Sequence, residues 1–269
     1  MKPIFFVPLL TLLAGCSFSQ SENTPSANPS EQAAERPSLP GTAAPLGGVA
    51  STKPSADPAA EAPLDPAGIA RRHMGRQIAR IIGHESTAWL DRPAREREER
   101  PEVLLQELGL KPTDVVADIG AGSGYLTFRL APLVPQGTVY AVEIQPLQML
   151  ALSRQVMDRR TTNVKPVRGT NQNPNLAPNS IDLVLLNDVY HEFAFPKEML
   201  AEIKRALKPK GRVALVEYRA EDPGIPVKAL HKMTLTQCRQ ELTDAGFAYR
   251  GARQTLPRQH LLFFEKLPE

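Results

Sequence analysis

The sequence predicts an α/β domain with a doubly wound, mostly parallel sheet. Apolar runs of strand length alternate with helical patterns after residue 110, as expected when helices cover both faces of such a sheet. The first run, VVADI at 115–119, leads into three glycines at alternate positions, and the second, TVYAVE at 138–143, ends in an acid. Because such sheets bind ligands at the carboxyl ends of their strands, we expect the site there.

The first 16 residues predict an export signal that is not part of the fold. One lysine precedes a mostly apolar run, Ile4 to Ala14, which is too short to span a hydrocarbon core of about 30 Å. The run ends in LAGC, which resembles a bacterial lipobox and implies that Cys16 is lipidated and anchors the chain to a membrane. Ser17 after this cysteine favours the outer membrane, facing the periplasm. The alternatives are an ordinary secretory signal or a mis-assigned start.

Three further segments follow the signal. Residues 17–68 are rich in Pro, Ala and Ser and cannot build a core, so they predict a disordered linker. Residues 69–110 predict a helical preface or lid, and residues 111–269 the main domain.

Charge and cysteine content narrow the possible partners. The net charge is only +3, with basic and acidic residues interspersed, so we expect no nucleic-acid partner. If Cys16 carries lipid, Cys238 is the one cysteine left, which excludes an intrachain disulfide and a cysteine-rich zinc site. We predict no metal ligands.

The preface has two possible roles. The run from Arg92 to Arg100 places opposite charges four residues apart, which is typical of a solvated helix face. The alternative is that this segment covers the ligand cleft, with Trp89 as the best candidate for a contact.

Local signals define the elements of the main domain. Pro146 suits the first turn of a helix, and Thr234 with Gln237 forms a capping box. The predicted strands are 115–119, 138–143, 163–168, 181–186, 212–218, 247–254 and 260–266, and the predicted helices are 101–110, 124–133, 146–159, 196–207 and 234–245.

The glycine turn indicates the kind of ligand. Glycines at 120, 122 and 124 permit a sharp bend and close approach of a ligand to a helix start. A nicotinamide-dependent oxidoreductase is disfavoured, because Tyr125 replaces the third glycine of the dinucleotide motif and Asp118 favours a cationic group. Glu143 lies where such folds place a carboxylate for ribose hydroxyls.

These residues resemble motif I and the second-strand acid of class I S-adenosylmethionine-dependent methyltransferases, over roughly residues 101–267. The sequence LKPKGR at 207–212 is similar to the L-x-P-G-G of this class. The resemblance implies a Rossmann-like, seven-stranded sheet with a closing antiparallel hairpin, and S-adenosyl-L-methionine as cofactor. The implied cofactor-binding residues are Asp118, Gly120, Ala121, Gly122, Gly124, Tyr125, Glu143, Ile144, Asn171 and Asn187.

Asn171 marks a departure from the family pattern. Many members have an acid soon after the third strand, which accepts a hydrogen bond from the adenine amino group. Here Thr170 and Asn171 occupy this place, and the Asn171 side-chain carbonyl can accept the same bond.

Catalytic candidates follow the fourth strand, in Asn187 to Phe193, where the family places the transferable methyl group. His191 could act as a base, because its unperturbed pKa is near neutrality. Tyr190 could face the sulfonium, which aromatic rings favour. The alternatives are a capping or structural role for His191 and simple packing for Tyr190. Asp188 is expected to cap the next helix.

Two functions therefore stay open. The first is methyl transfer to a small-molecule acceptor. The second is a non-catalytic, membrane-tethered binding module that retains the fold, because the lipobox would carry the domain away from the cytoplasm, where S-adenosylmethionine is made.

Overall fold

The computed structural model describes residues 63–83 and 87–267. The predicted signal, Cys16 and most of the predicted linker lie outside these residues. The strands are β1 (Gly68–His73), β2 (Arg76–Ala79), β3 (Val115–Ile119), β4 (Thr138–Glu143), β5 (Val164–Arg168), β6 (Ile181–Asn187), β7 (Leu207–Tyr218), β8 (Phe247–Arg253) and β9 (Gln259–Lys266). The α-helices are α1 (Thr87–Leu90), α2 (Arg95–Glu99), α3 (Pro101–Glu107), α4 (Thr127–Leu130), α5 (Pro146–Asp158), α6 (Pro196–Ala206) and α7 (Leu235–Asp244).

Seven strands form one sheet in the order β5-β4-β3-β6-β7-β9-β8. The five strands from β3 to β7 pair in parallel, and β9 is antiparallel to both of its neighbours. The predicted fold class is therefore confirmed. Ile119 pairs with Val142 on one side and Leu186 on the other, so the carboxyl ends of β3, β4 and β6 lie side by side.

Hydrophobic side chains fill both faces of this sheet. Along β6, Val184 and Leu186 belong to one cluster with the apolar face of α6, whereas Leu183 and Leu185 belong to a second cluster. Because alternate residues of a strand point to opposite faces, burial of four consecutive residues requires cover on both sides. The continuous apolar run IDLVLL was therefore a reliable strand signal.

The first part of the preface differs from the expected helix. Residues 68–79 form the antiparallel hairpin β1–β2, and helices begin only at Thr87. The connection is Met74-Gly75, with φ values of 47° and 84°, as a two-residue hairpin loop requires. Methionine is an unusual residue at such a position, so the turn had a weak sequence signal. The expected helix rested on the spacing of Ile78, Ile81 and Ile82. Burial of three consecutive residues, Gln77 to Ala79, outweighs this spacing.

Other boundaries agree only in part with the predicted ones, since β7 begins at Leu207 rather than at residue 212 and α4 covers only Thr127–Leu130 of the predicted 124–133. The hydroxyl of Thr234 accepts a hydrogen bond from the Gln237 amide at 3.0 Å, as the capping box predicted. No helix in the described part of the chain has the length and apolar character needed to cross a bilayer.

Gly124 provides a test of the turn that positions the site. Its φ is +83°, and an added Cβ would lie 2.6 Å from Phe128 and 2.8 Å from Leu152. Gly75 has nearly the same φ, +84°, but an added Cβ there would meet nothing within 4 Å. In urea unfolding, Gly75→Ala should lower the free energy of unfolding by about 1–2 kcal/mol, because alanine disfavours this backbone conformation. Gly124→Ala should lower it by about 1–3 kcal/mol more, because the added methyl group also overpacks the core. Equal losses would contradict this account of the turn.

Candidate functional site

A cavity of about 540 Å³ opens at the carboxyl ends of β3, β4 and β6. This volume is typical of small-molecule sites. The structure brings ten of the predicted site residues to its wall: Asp118, Gly120, Ala121, Gly122, Tyr125, Glu143, Ile144, Asn171, Asn187 and His191. Gly124 and Tyr190 lie elsewhere.

The glycine turn forms one wall. An added Cβ at Gly120 would lie 2.4 Å from a methyl group of Val189, and one at Gly122 would lie 3.3 Å from Oε1 of Gln148. The backbone here thus comes close to the chain segments that enclose the cavity. Gly124 has a packing role, since its missing side chain makes room for Phe128 and Leu152.

Glu143 joins this turn to the end of β4. One carboxylate oxygen accepts a hydrogen bond from the Gly122 amide at 3.0 Å. The other accepts bonds from the amides of Ile144 and Gln145, both at 2.7 Å. Three donors hold this buried carboxylate at the cavity wall. Oε1 already accepts two bonds, so Oε2 is the oxygen with a lone pair left for a further bond.

Asp118 lies at the end of β3 and is 3% exposed. Burial raises the pKa of its carboxyl to about 6, although the hydrogen bond from Thr127 opposes this shift. The Thr127 hydroxyl donates to Oδ2 at 2.6 Å. The carboxylate is therefore costly in its charged form, and a cation in the cavity would stabilise it.

Two polar atoms at the cavity lack partners. Among the described residues, Gln148 Oε1 and Asp188 Oδ1 are buried oxygens without a hydrogen bond, and both residues line the cavity. Buried acceptors are normally satisfied, so unpaired acceptors at a cavity indicate a ligand that carries donors. The ammonium group and ribose hydroxyls of S-adenosylmethionine are such donors, so the cavity fits this cofactor.

Asp188 does not cap a helix. Its Oδ2 accepts a hydrogen bond from Gln259 at 2.6 Å, and its φ is +51°. The following 3-10 helix, Tyr190–Glu192, begins after Val189 without a side-chain cap. The constrained backbone instead directs this acid towards the cavity.

The preface covers part of the cavity. Ile81, Ile82, Trp89, Leu90 and Arg95 all line it. The charged segment from Arg92 to Arg100 is therefore not simply a solvated helix face. Its inner side, which includes Arg95, forms part of the cavity wall.

Ion pairs hold this inner side in place. Arg95 and Glu99 are buried and form an ion pair at 2.6 Å. Glu99 also accepts a hydrogen bond from the hydroxyl of Tyr218, at the end of β7, at 2.8 Å. The preface is thereby attached to the sheet.

A cluster of histidines and carboxylates forms the opposite wall. His191 Nδ1 lies 2.6 Å from Oε2 of Glu217, and His191 Nε2 lies 3.0 Å from Nδ1 of His231. Burial lowers the pKa of both histidines to about 4 and raises the pKa of Glu217 to about 8. Both imidazoles are therefore neutral at pH 7.

Tyr190 does not face the cavity. Its side chain is fully buried, and its hydroxyl donates to Glu241 at 2.7 Å. The ring packs edge-on against Phe193 at 5.4 Å between centroids. This environment corresponds to the packing alternative, because the ring lies in the core behind the site.

The fold and the cavity together define a class of protein. A seven-stranded sheet of this order, a glycine turn after β3, and acids at the ends of β3 and β4 form a class I methyltransferase arrangement. Residues 117–213 match the family model described as a methyltransferase domain. Residues 117–213 are thus similar to a methyltransferase domain, and this similarity and the fold imply the predicted cofactor, S-adenosylmethionine.

Curated relatives agree with this family. The chain is 31% identical over 166 residues to an uncharacterized methyltransferase of Schizosaccharomyces pombe, covering 62% of this chain and 61% of that protein. It is 28% identical over 109 residues to the uncharacterized methyltransferase YcgJ of Bacillus subtilis, covering 40% of this chain and 42% of that protein. The chain thus spans less than two thirds of the length of either relative.

A solved structure shows the same fold. A SAM-dependent methyltransferase from Aquifex aeolicus superposes with a TM-score of 0.66 at 23% identity, covering 70% of this chain and 100% of that chain. At this identity the likeness concerns the fold alone.

Thr127 provides a test of the Asp118 environment. The raised pKa means that folded Asp118 holds a proton at pH values where the unfolded carboxyl has lost it, so stability falls as pH rises from about 4 through about 6. Thr127→Val removes the hydroxyl that donates to Asp118. The free energy of unfolding should fall by about 1–3 kcal/mol, and the pKa of Asp118 should rise further. The loss measured by urea unfolding should therefore be larger at pH 8 than at pH 5.

Thr161→Val is the matched control for this comparison. The Thr161 hydroxyl contacts the Val156 carbonyl at 3.4 Å, with no carboxylate involved. The unfolding free energy lost in Thr161→Val should therefore be the same at pH 5 and pH 8. If Thr127→Val showed the same loss at both pH values, the assigned role of the hydroxyl would be incorrect.

Proposed function

We propose that this chain is an S-adenosylmethionine-dependent methyltransferase that acts on a small-molecule acceptor. The observation that carries the proposal is the pair of unpaired acceptors, Gln148 Oε1 and Asp188 Oδ1, in a cavity that also contains Asp118 and Glu143. These groups suit a cationic ligand with several donors. A protein that only retained the fold would gain nothing from unsatisfied buried acceptors.

The cofactor would lie between the glycine turn and the end of β6. Asp118 and Asp188 would face its positive charges, and Glu143 would accept from its ribose hydroxyls. Asn171 lines the cavity where the adenine amino group is expected. When bound, S-adenosylmethionine supplies a methyl group on a positively charged sulfur.

The acceptor would lie on the side of His191 and His231. The Glu217 carboxylate at Nδ1 orients the His191 ring, so Nε2 is the nitrogen directed to His231 and the cavity. Because burial lowers the pKa of His191 to about 4 and its Nε2 already contacts His231, the ring is a weak base and would position the acceptor rather than take its proton. The cavity volume, about 540 Å³, is typical of small-molecule sites and supports a small acceptor.

Glu143→Gln tests the cofactor side. The change keeps the shape of the side chain but removes its charge, so affinity for S-adenosylmethionine should fall by about 1.5–3 kcal/mol, or roughly 10- to 150-fold, as for hydrogen bonds to charged groups. Isothermal titration calorimetry on the full chain measures this loss. Glu202→Gln is the control, because Glu202 pairs with Arg205 on α6 outside the cavity.

Two outcomes would count against the proposal. Unchanged affinity in Glu143→Gln would remove Glu143 from the site. No binding of the cofactor by the unmodified chain would leave the non-catalytic binding module as the better explanation.

We further propose that the chain is exported and anchored by lipid at Cys16, facing the periplasm, with the outer membrane favoured. The support is the short apolar run and the LAGC sequence before a Pro-, Ala- and Ser-rich segment. That segment is long enough to hold the domain tens of ångströms from a bilayer surface.

Cys16→Ser tests the anchor. Without the thiol no lipid can be attached, so the chain should move from the membrane fraction to the soluble fraction, or stay unprocessed with its signal. Cell fractionation and mass spectrometry of the N-terminus distinguish these forms. Cys238→Ser is the control, since Cys238 is buried in the core and should not affect partition. Unchanged membrane partition of Cys16→Ser would refute the lipid anchor.

A further inference from the structure

We propose that His191, Glu192 and His231 form a binding site for a divalent transition-metal ion, with Zn²⁺ as the best match. Their ligand atoms, Nε2 of His191, Oε1 of Glu192 and Nδ1 of His231, all lie within 4.8 Å of one another. The two nitrogens are 3.0 Å apart. The carboxylate oxygen lies 3.9 Å from the His191 nitrogen and 3.6 Å from the His231 nitrogen.

These separations fit one ion. A point between the three atoms lies about 2 Å from each of them, which is the length of zinc bonds to imidazole nitrogen and carboxylate oxygen. The two imidazole nitrogens already point at each other, because they are within hydrogen-bond distance. For both nitrogens to present a lone pair to the ion, the hydrogen that they share would move to the other ring nitrogen of His231, Nε2.

The surroundings hold the ligands in the required orientation. Glu217 binds the other ring nitrogen of His191 at 2.6 Å, and both side chains are buried. The amide of Ile82 donates to Oε1 of Glu192 at 3.0 Å, which fixes the carboxylate. A carboxylate on the second nitrogen of a histidine ligand is a recurrent feature of metal sites, where it orients the ring.

One arginine and two acids, including the proposed ligand Glu192, lie at this site. Glu192 and Glu217 are two carboxylates in a mostly buried environment. Arg76 donates to the backbone carbonyl of His191, but its guanidinium forms an ion pair with Glu241 at 3.0 Å. The positive charge of Arg76 is therefore already matched by Glu241, so it does not oppose a cation between the histidines.

The ligand set selects the metal and leaves room for another ligand. Two imidazoles and one carboxylate suit Zn²⁺ and similar first-row ions, whereas Mg²⁺ and Ca²⁺ prefer oxygen ligands. All three residues line the cavity, so a fourth position would open into it. An anionic sulfur or oxygen atom of a small molecule fits that position. This inference goes beyond methyl transfer, because the ion would bind without the cofactor.

Calorimetric titration of ZnCl₂ into the chelator-treated full chain tests the site. We expect one ion per chain with a dissociation constant in the micromolar range or below. His231→Ala and Glu192→Gln should each weaken binding at least about tenfold, because each removes a ligand atom. His260→Gln is the matched control, since His260 also pairs with a carboxylate, Glu221 at 2.9 Å, but does not line the cavity.

A Co²⁺ titration followed by visible absorption gives a second measurement. A four-coordinate site should give intense absorption bands that are lost in Glu192→Gln and retained in His260→Gln. Circular dichroism of each ion-free variant separates lost binding from lost folding, and if His231→Ala does not fold, Glu192→Gln carries the test. Absence of Zn²⁺ binding in the unmodified chain, or equal affinity in the variants, would overturn the proposal.

Cofactor affinity measured on the same samples keeps the two proposals apart. Zinc binding without cofactor binding would refute the methyl-transfer proposal alone. Cofactor binding without zinc binding would refute the metal site alone.

Discussion

The Glu143 carboxylate is the interaction on which the site depends most. It accepts hydrogen bonds from Gly122 in the glycine turn and from Ile144 and Gln145 after β4. One buried side chain thus connects the two loops that flank the cavity. The parallel register of β3 and β4 makes this possible, since Ile119 and Val142 pair directly before these loops. A ligand that binds Glu143 therefore meets a carboxylate whose position is already set.

Burial of acidic groups around the cavity is the second constraint. Asp118 and Asp188 have raised pKa values, with burial as the main cause. Each of these groups costs folding free energy when charged and unpaired. Such a cost is common at functional sites, where ligand binding offsets it. The arrangement suits positively charged ligands on both sides of the cavity, an organic cation beside Asp118 and an ion beside Glu192.

The cofactor-binding side of the cavity was predictable because the motifs that indicate it are short and local in the sequence. The bounds of β3 and β4 match the predicted ones, since each is an apolar run with an acid at its last or second-last residue. The glycines, Asp118 and Glu143 lie within 30 residues, and the rigid βαβ geometry brings them together. The hairpin β1–β2 was missed because its turn contains Met74, which has no turn preference.

The acceptor side could not be predicted in the same way. His191 and His231 are 40 residues apart, and their contact depends on the conformation of the loop that follows β7. The side chain of Glu217 is fully buried behind His191, so its contact with the ring depends on tertiary packing. Tyr190 is directed into the core, although it is adjacent to His191 in the chain. A tight 3-10 turn at Tyr190–Glu192 decides which of these side chains reaches the cavity, and this turn has no clear sequence signal.

The most direct test of the account is a crystal structure of the chain grown with S-adenosylhomocysteine. We predict that the ligand lies between the glycine turn and the end of β6, with ribose hydroxyls on Glu143 and its amino group near Asp118 or Asp188. Its sulfur should be directed towards the wall that contains His191 and His231. A cavity that holds only solvent at saturating ligand, or a ligand bound elsewhere on the chain, would contradict the account.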